Sequence, residues 1–167
     1  MKTLVVSLLL ITAVCIVPQA TQSSTIQTTG TLENLLVNYL QIKNTLVKSQ
    51  NIQSLSADFL KTVKAVNGQN LSEKQKKAWT SSSANIIKDL EGMAATEDLE
   101  KQRKHFASLS QHFYPLVKTM EHTTPLYYQY CPMYGKGAYW ISELPNIQNP
   151  YFGNQMLTCG STKETIH

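Results

Sequence analysis

The sequence predicts a mainly α-helical protein, an antiparallel four-helix bundle closed by a loop-rich, short-stranded C-terminal cap. Three observations carry that expectation. From Thr31 to Met120 apolar residues recur at three- and four-residue steps, the period of a helix with one buried face. The breaks between periodic segments are short, which favours antiparallel neighbours. After Thr124 the helical period gives way to aromatic, β-favouring runs punctuated by Pro and Gly.

The chain opens with Lys2 followed by an apolar run from Leu4 to Val17, the pattern of an export signal too short to span a bilayer comfortably. Residues 1–20 are therefore expected to be a signal peptide cleaved near Ala20. Cys15 raises lipid attachment as another fate, but Val14 stands where a small residue is wanted. Residues 21–30 are polar and aperiodic and read as a disordered lead-in. Residues 31–166 are expected to form one domain, exported to the periplasm or secreted, with no membrane span in the mature form.

In the first helix Leu32, Leu35, Leu36, Tyr39, Leu40, Leu46 and Val47 share a face. Ile52, Leu55, Phe59, Val63 and Val66 repeat the pattern, with Gly68 as the expected stop. Ser72 and Gln75 form a capping box for a third helix buried along Trp79, Ser83, Ile86, Leu90 and Met93. Thr96 is the expected cap of the fourth, with Glu97 and Asp98 in its first turn. Leu99, Phe106, Leu109, Phe113, Leu116 and Met120 line its inner face, and Pro115 is expected to kink it near Gln111. Beyond it, residues 126–130 and 138–141 read as short strands joined by the Gly135-Lys136-Gly137 turn.

The formal net charge is +4, about +3 once Lys2 leaves with the signal, too small to imply nucleic acid or an anionic membrane as partner. Gly-rich phosphate loops, Gly-x-Ser-x-Gly elbows, paired His–Glu metalloprotease motifs and Cys-x-x-Cys are absent, and the expectation is a protein that is not an enzyme. Two soft-ligand clusters stand out instead: Cys131-Pro132-Met133 and Met156-Leu157-Thr158-Cys159. Each pairs a potential thiolate with a thioether, and such sulfur ligands select Cu(I) and related soft ions over hard cations. Metal binding requires deprotonated cysteine, so affinity should fall at low pH. The same cysteines can instead close a disulfide, stabilising the fold by about 3.5 kcal/mol on the chain-entropy model, with Met133 and Met156 as ordinary core fillers. A reversible exchange between the two states is a third reading, since bound metal would hold the thiolates reduced. His105 and His112, seven residues apart, project from one side of the fourth helix, where His105 can complete the sulfur site or support its ligands. Tyr128, Tyr130, Tyr139, Trp140, Tyr151 and Phe152 form either a shield for such a site or a small core of their own.

The strings Tyr130-Cys131-Pro132-Met133, Gly137-Ala138-Tyr139-Trp140, Asn149-Pro150-Tyr151-Phe152-Gly153 and Met156-Leu157-Thr158-Cys159-Gly160 resemble a bacterial exported family catalogued as a domain of unknown function. That family also occurs fused to the C-terminal end of periplasmic adaptor subunits of copper and silver efflux pumps. Arg103, His105, Phe106, Leu109 and Ser110 are similar to its pattern too, and the resemblance spans about residues 31–166. It implies a helical domain associated with soft-metal handling. The expected ligands are Cys131, Met133, Met156 and Cys159, with His105 in addition, for a Cu(I) or Ag(I) ion sequestered or handed to an efflux adaptor. The competing expectation is a disulfide-stapled envelope module that docks a protein partner without metal.

Overall fold

The computed structural model describes residues 26–167. The expected signal at 1–20, Cys15 and residues 21–25 lie outside the described residues. Four helices, α1 (Ile26–Val47), α2 (Gln53–Lys64), α3 (Glu73–Ala94) and α4 (Leu99–Val117), precede three strands, β1 (Leu126–Cys131), β2 (Ala138–Ser142) and β3 (Ser161–Ile166). The protein is mainly helical with a small antiparallel sheet at its C-terminal end. Among the described residues no helix is long and apolar enough to cross a membrane.

α1 starts at Ile26, inside the segment 21–30 expected to be a disordered lead-in. Once the packed turns from Leu32 onward exist, each further residue adds a hydrogen bond without a new nucleation cost. Leu32, Leu35, Tyr39, Ile42 and Leu46 are buried at steps of three and four, as the period predicts. The helix ends with Ser49 at φ 54°, where Gln50 N–H donates to Thr45 C=O and Ser49 N–H to Leu46 C=O. That is a Schellman closure with serine in the place glycine usually takes.

α2 buries Phe59 and Val63 and ends at Lys64, earlier than Gly68; that glycine instead opens a single 3₁₀ turn, Gly68–Asn70. The capping box of α3 is present, Ser72 Oγ accepting from Gln75 N–H and Gln75 Oε1 from Ser72 N–H. Ile86, Leu90 and Met93 are buried as expected, whereas Trp79 and Ser83 are only half-buried. The cap of α4 is Asp98 rather than Thr96: its carboxylate accepts from Glu100 and Lys101 N–H, while Thr96 Oγ1 accepts from Asp98 N–H. Pro115 falls in the last turn of α4, so the missing N–H frees only the Gln111 carbonyl and the helix runs on to Val117.

Each helix packs on the next, and the sheet meets α4 and α1 through β2. The strand order is β2-β1-β3, with Cys131 opposite Ala138 on one side and Tyr130 opposite Ser161 on the other. β3 lies in a tail expected to be loop. Its sequence STKETI has no apolar or aromatic run, and of its residues only Ile166 is buried, which suits an exposed edge strand.

Two polar anchors fix the sheet to the helices. Tyr39 Oη lies 2.7 Å from Ser110 Oγ and accepts from the Ile141 N–H at 3.1 Å, joining α1, α4 and β2. Beyond β2, Glu143 accepts from Asn44 Nδ2 at 2.8 Å and stands 2.9 Å from Lys43 Nζ, whose side chain is fully buried. The pair is a salt bridge between a fully buried ammonium and a partly exposed carboxylate.

Candidate metal centre

The antiparallel pairing of β1 with β3 brings the two sulfur-bearing segments together. Cys131 is the last residue of β1 and fully buried, while Cys159 lies two residues before β3 and is half-buried. Their sulfurs are 3.5 Å apart and both thiols are free. Its hydrogen bond to the Cys131 sulfur holds the Cys159 thiol above the usual cysteine range, with burial and the neighbouring charge acting in the same direction.

Gly160 makes this approach feasible. At φ +147° a side chain is disfavoured, and a Cβ there would stand 2.9 Å from both the Trp140 ring and the Tyr130 carbonyl oxygen. Cys159 is also held from behind by two turns. Its N–H donates to the Met156 carbonyl at 3.0 Å, and its own carbonyl accepts from Asn149 Nδ2 at 2.8 Å. Asn149 is fully buried, and its Oδ1 also accepts from the N–H groups of Tyr151 and Phe152. Arg103 on α4 completes the support by donating to the Pro150 carbonyl and to Ser49 Oγ, tying the loop to the end of α1. Burial pulls the Arg103 guanidinium below its ordinary range.

The sulfur ligands expected from sequence divide by exposure. Cys131 and Cys159 meet, whereas Met133 is 62% and Met156 37% exposed. Neither methionine is the core filler that the disulfide reading expected. Met133 follows Cys131 by two residues, and the Met156 carbonyl accepts from the Cys159 N–H at 3.0 Å.

His105 stands elsewhere. Its ring packs on Gly92 of α3, leaving no room for a Cβ there, and its Nδ1 lies 3.8 Å from Asp89 Oδ1. His112 Nδ1 is 2.9 Å from the other oxygen of Asp89. The two histidines do share a side of α4, but that side faces α3. Among the described residues no three His, Cys, Asp or Glu side chains gather around one point suited to a metal ion. Of the expected ligands the structure brings together Cys131 and Cys159, while His105 faces Asp89 and Gly92 of α3. His122 Nε2 donates to the Val117 carbonyl, 2.9 Å away, and serves the end of α4.

The aromatic residues of the tail form two groups. Trp140 and Tyr151 are fully buried and meet edge to face, with Tyr134 stacked on Tyr151 at 4.6 Å. Tyr114, Tyr128 and Tyr139 stack in series, and Tyr130 tilts against Tyr139. In the first group the Trp140 ring packs against Gly160, the residue after Cys159, while the second packs the sheet onto α4.

Asn149 and Gly160 were absent from the residues the sequence nominated for the site. The Asn149-Pro150 pair signals an Asx-type turn, and a glycine directly after a candidate ligand signals close backbone approach. Neither signal says which carbonyl or ring is approached.

Fold and site together define a small helical protein that carries a dithiol at the end of a three-stranded sheet. The chain belongs to the family DUF3347, proteins of unknown function, whose family model matches residues 35–124. No curated protein and no solved structure matches it. The family match runs from within α1 through α4 and stops before β1, narrower than the span of 31–166 expected from the resemblance. The sulfur motifs stand beyond the matched region.

Proposed function

We propose that this chain is an exported carrier that binds one soft monovalent ion, Cu(I) or Ag(I), on Cys131 and Cys159, for sequestration or handover to an efflux adaptor. In this reading the four helices act as a bundle scaffold, and the chain performs no catalysis. The observation that carries it is the 3.5 Å separation of two free thiol sulfurs, one fully buried and one half-exposed. With metal–sulfur bonds of about 2.3 Å, as for zinc thiolates, that separation corresponds to an S–metal–S angle of about 100°, near tetrahedral. Two positions then remain, and the exposed thioethers of Met133 and Met156 suit a soft ion there. Handover is supported by the sequence resemblance and by the surface position of those thioethers.

The same 3.5 Å favours a second reading, a closed disulfide in a protein-interaction module. Bonding needs the sulfurs about 1.5 Å closer, since a disulfide spans 2.03–2.05 Å. Intact-mass analysis of the reduced chain, with Cys15→Ser throughout, after anaerobic addition of one Ag(I) equivalent distinguishes the two. The carrier predicts a one-silver adduct in the native chain and none in the Cys131→Ser, Cys159→Ser double variant. Equal silver uptake by both, or none by either, contradicts it.

A further inference from the structure

We infer that Cys159 and Cys131 are an ordered exchange pair for external disulfides, with Cys159 as the entry thiol and Cys131 as the resolving thiol. The asymmetry comes from their places in the fold. Cys131 is sealed within the end of β1, opposite Ala138 and without exposure. Cys159 is half-exposed on a turn whose other end is the exposed Met156, so an incoming disulfide reaches it first. The 3.5 Å gap lets the buried sulfur reach the entry sulfur with about 1.5 Å of movement. Gly160 and the Asn149 bond to the Cys159 carbonyl keep the two in register.

The chemistry balances without a cofactor. The Cys159 thiol loses its proton to solvent, and the thiolate attacks one sulfur of the external disulfide. That S–S bond breaks, a mixed disulfide forms on Cys159, and the first thiolate leaves. Cys131 then loses its proton and attacks Cys159 Sγ; the mixed disulfide breaks, and the second thiolate leaves. Two cysteines are oxidised by two electrons, and the external disulfide is reduced to two thiols. The exchange rests on the thiols alone, and only its consequence for bound metal rests on the carrier reading: closing the Cys131–Cys159 bond removes both thiolate ligands and releases the ion.

The test uses the reduced, metal-free chain with Cys15→Ser throughout, so that Cys131 and Cys159 are its two thiols and the wild type means native at both, and 5,5′-dithiobis(2-nitrobenzoate). The wild type should release two chromophoric thiolates per chain and end as an unmodified disulfide, lighter by two hydrogens. Cys131→Ser should release one and keep the adduct on Cys159, whereas Cys159→Ser should react at least tenfold more slowly until urea exposes Cys131. Limiting iodoacetamide on the wild type, mapped by peptide mass, gives the order without relying on variants and should label Cys159 first. Labelling of Cys131 first, or two stable adducts on the wild type, overturns the proposal. Repeating the assay after one equivalent of Ag(I) separates the claims: unprotected thiols with the exchange order intact remove the carrier reading alone.

Discussion

Asn149→Ala should loosen the loop that delivers Cys159 while leaving the helices in place. Asn149 is fully buried, and its amide serves three backbone groups: the Cys159 carbonyl at 2.8 Å, the Tyr151 N–H at 2.8 Å and the Phe152 N–H at 3.3 Å. Truncation orphans the Tyr151 N–H in a buried residue and frees the carbonyl beside the thiol. A buried group left unpaired costs about 1–3 kcal/mol. The Cys159 segment is half-exposed and can recover water, so the sum should lie at about 2–4 kcal/mol. Urea unfolding followed by far-UV dichroism measures it, with an unchanged slope confirming that the unfolded state is not altered. The reaction rate of Cys159 with a thiol reagent should rise in parallel, because its carbonyl anchor is lost. Asn149→Asp divides the effect: the carboxylate still accepts from Tyr151 and Phe152 but repels the Cys159 carbonyl. It should retain more stability than alanine while the thiol becomes equally reactive. A loss below about 0.5 kcal/mol with unchanged thiol reactivity would refute the assignment of Asn149 as the hub of this loop.

Gly160→Ala should displace Cys159 and cost about 1–3 kcal/mol, because the Cβ meets both the Trp140 ring and the Tyr130 carbonyl at 2.9 Å; loss of Cys131–Cys159 disulfide formation in a diamide titration checks the displacement. Tyr39→Phe should cost about 1–3 kcal/mol in urea unfolding, since the buried Ile141 N–H loses its acceptor. Glu143→Gln leaves the fully buried Lys43 ammonium without its counter-charge; breaking a buried pair costs about 3–5 kcal/mol, and the low end applies because Glu143 is a third exposed. Burial already lowers the Lys43 pKa, so the folded state binds fewer protons than the unfolded one between that value and about 10.4. The penalty is thus complete below the folded value and relieved as pH climbs, and the variant should regain stability between neutral and alkaline pH in parallel urea titrations. A flat profile for Glu143→Gln would contradict the burial of that charge.

The helical half was legible because its period is written in apolar residues that do not depend on distant partners. Leu32, Leu35, Tyr39 and Leu46, or Phe106, Leu109, Phe113 and Leu116, announce their faces before any packing is known. Boundaries were less so: Asp98 outcompetes Thr96 as cap, since its carboxylate reaches two N–H groups while the threonine hydroxyl serves the cap itself. β3 escaped because an exposed edge strand needs only backbone pairing from β1, which leaves no hydrophobic trace. The meeting of Cys131 with Cys159 was legible as two soft clusters, but the contact depends on that unforeseen strand. His105 shows the opposite error. Its helical side was read correctly, but the side belongs to Asp89 and Gly92 of α3. One-dimensional spacing fixes which residues share a face and says nothing of what that face meets.

Competition of the reduced chain with a coloured Cu(I) chelator under anaerobic conditions, across pH 6 to 8, bears most directly on the soft-ion assignment. One ion should transfer per chain, with affinity rising about tenfold per pH unit for each thiol proton displaced, since the Cys159 thiol is held protonated by its neighbour. Cys131→Ser or Cys159→Ser should abolish the transfer, and Met133→Leu with Met156→Leu should weaken it. Failure of the native chain to draw copper from the chelator at any of these pH values, with both thiols verified as reduced, would contradict the account.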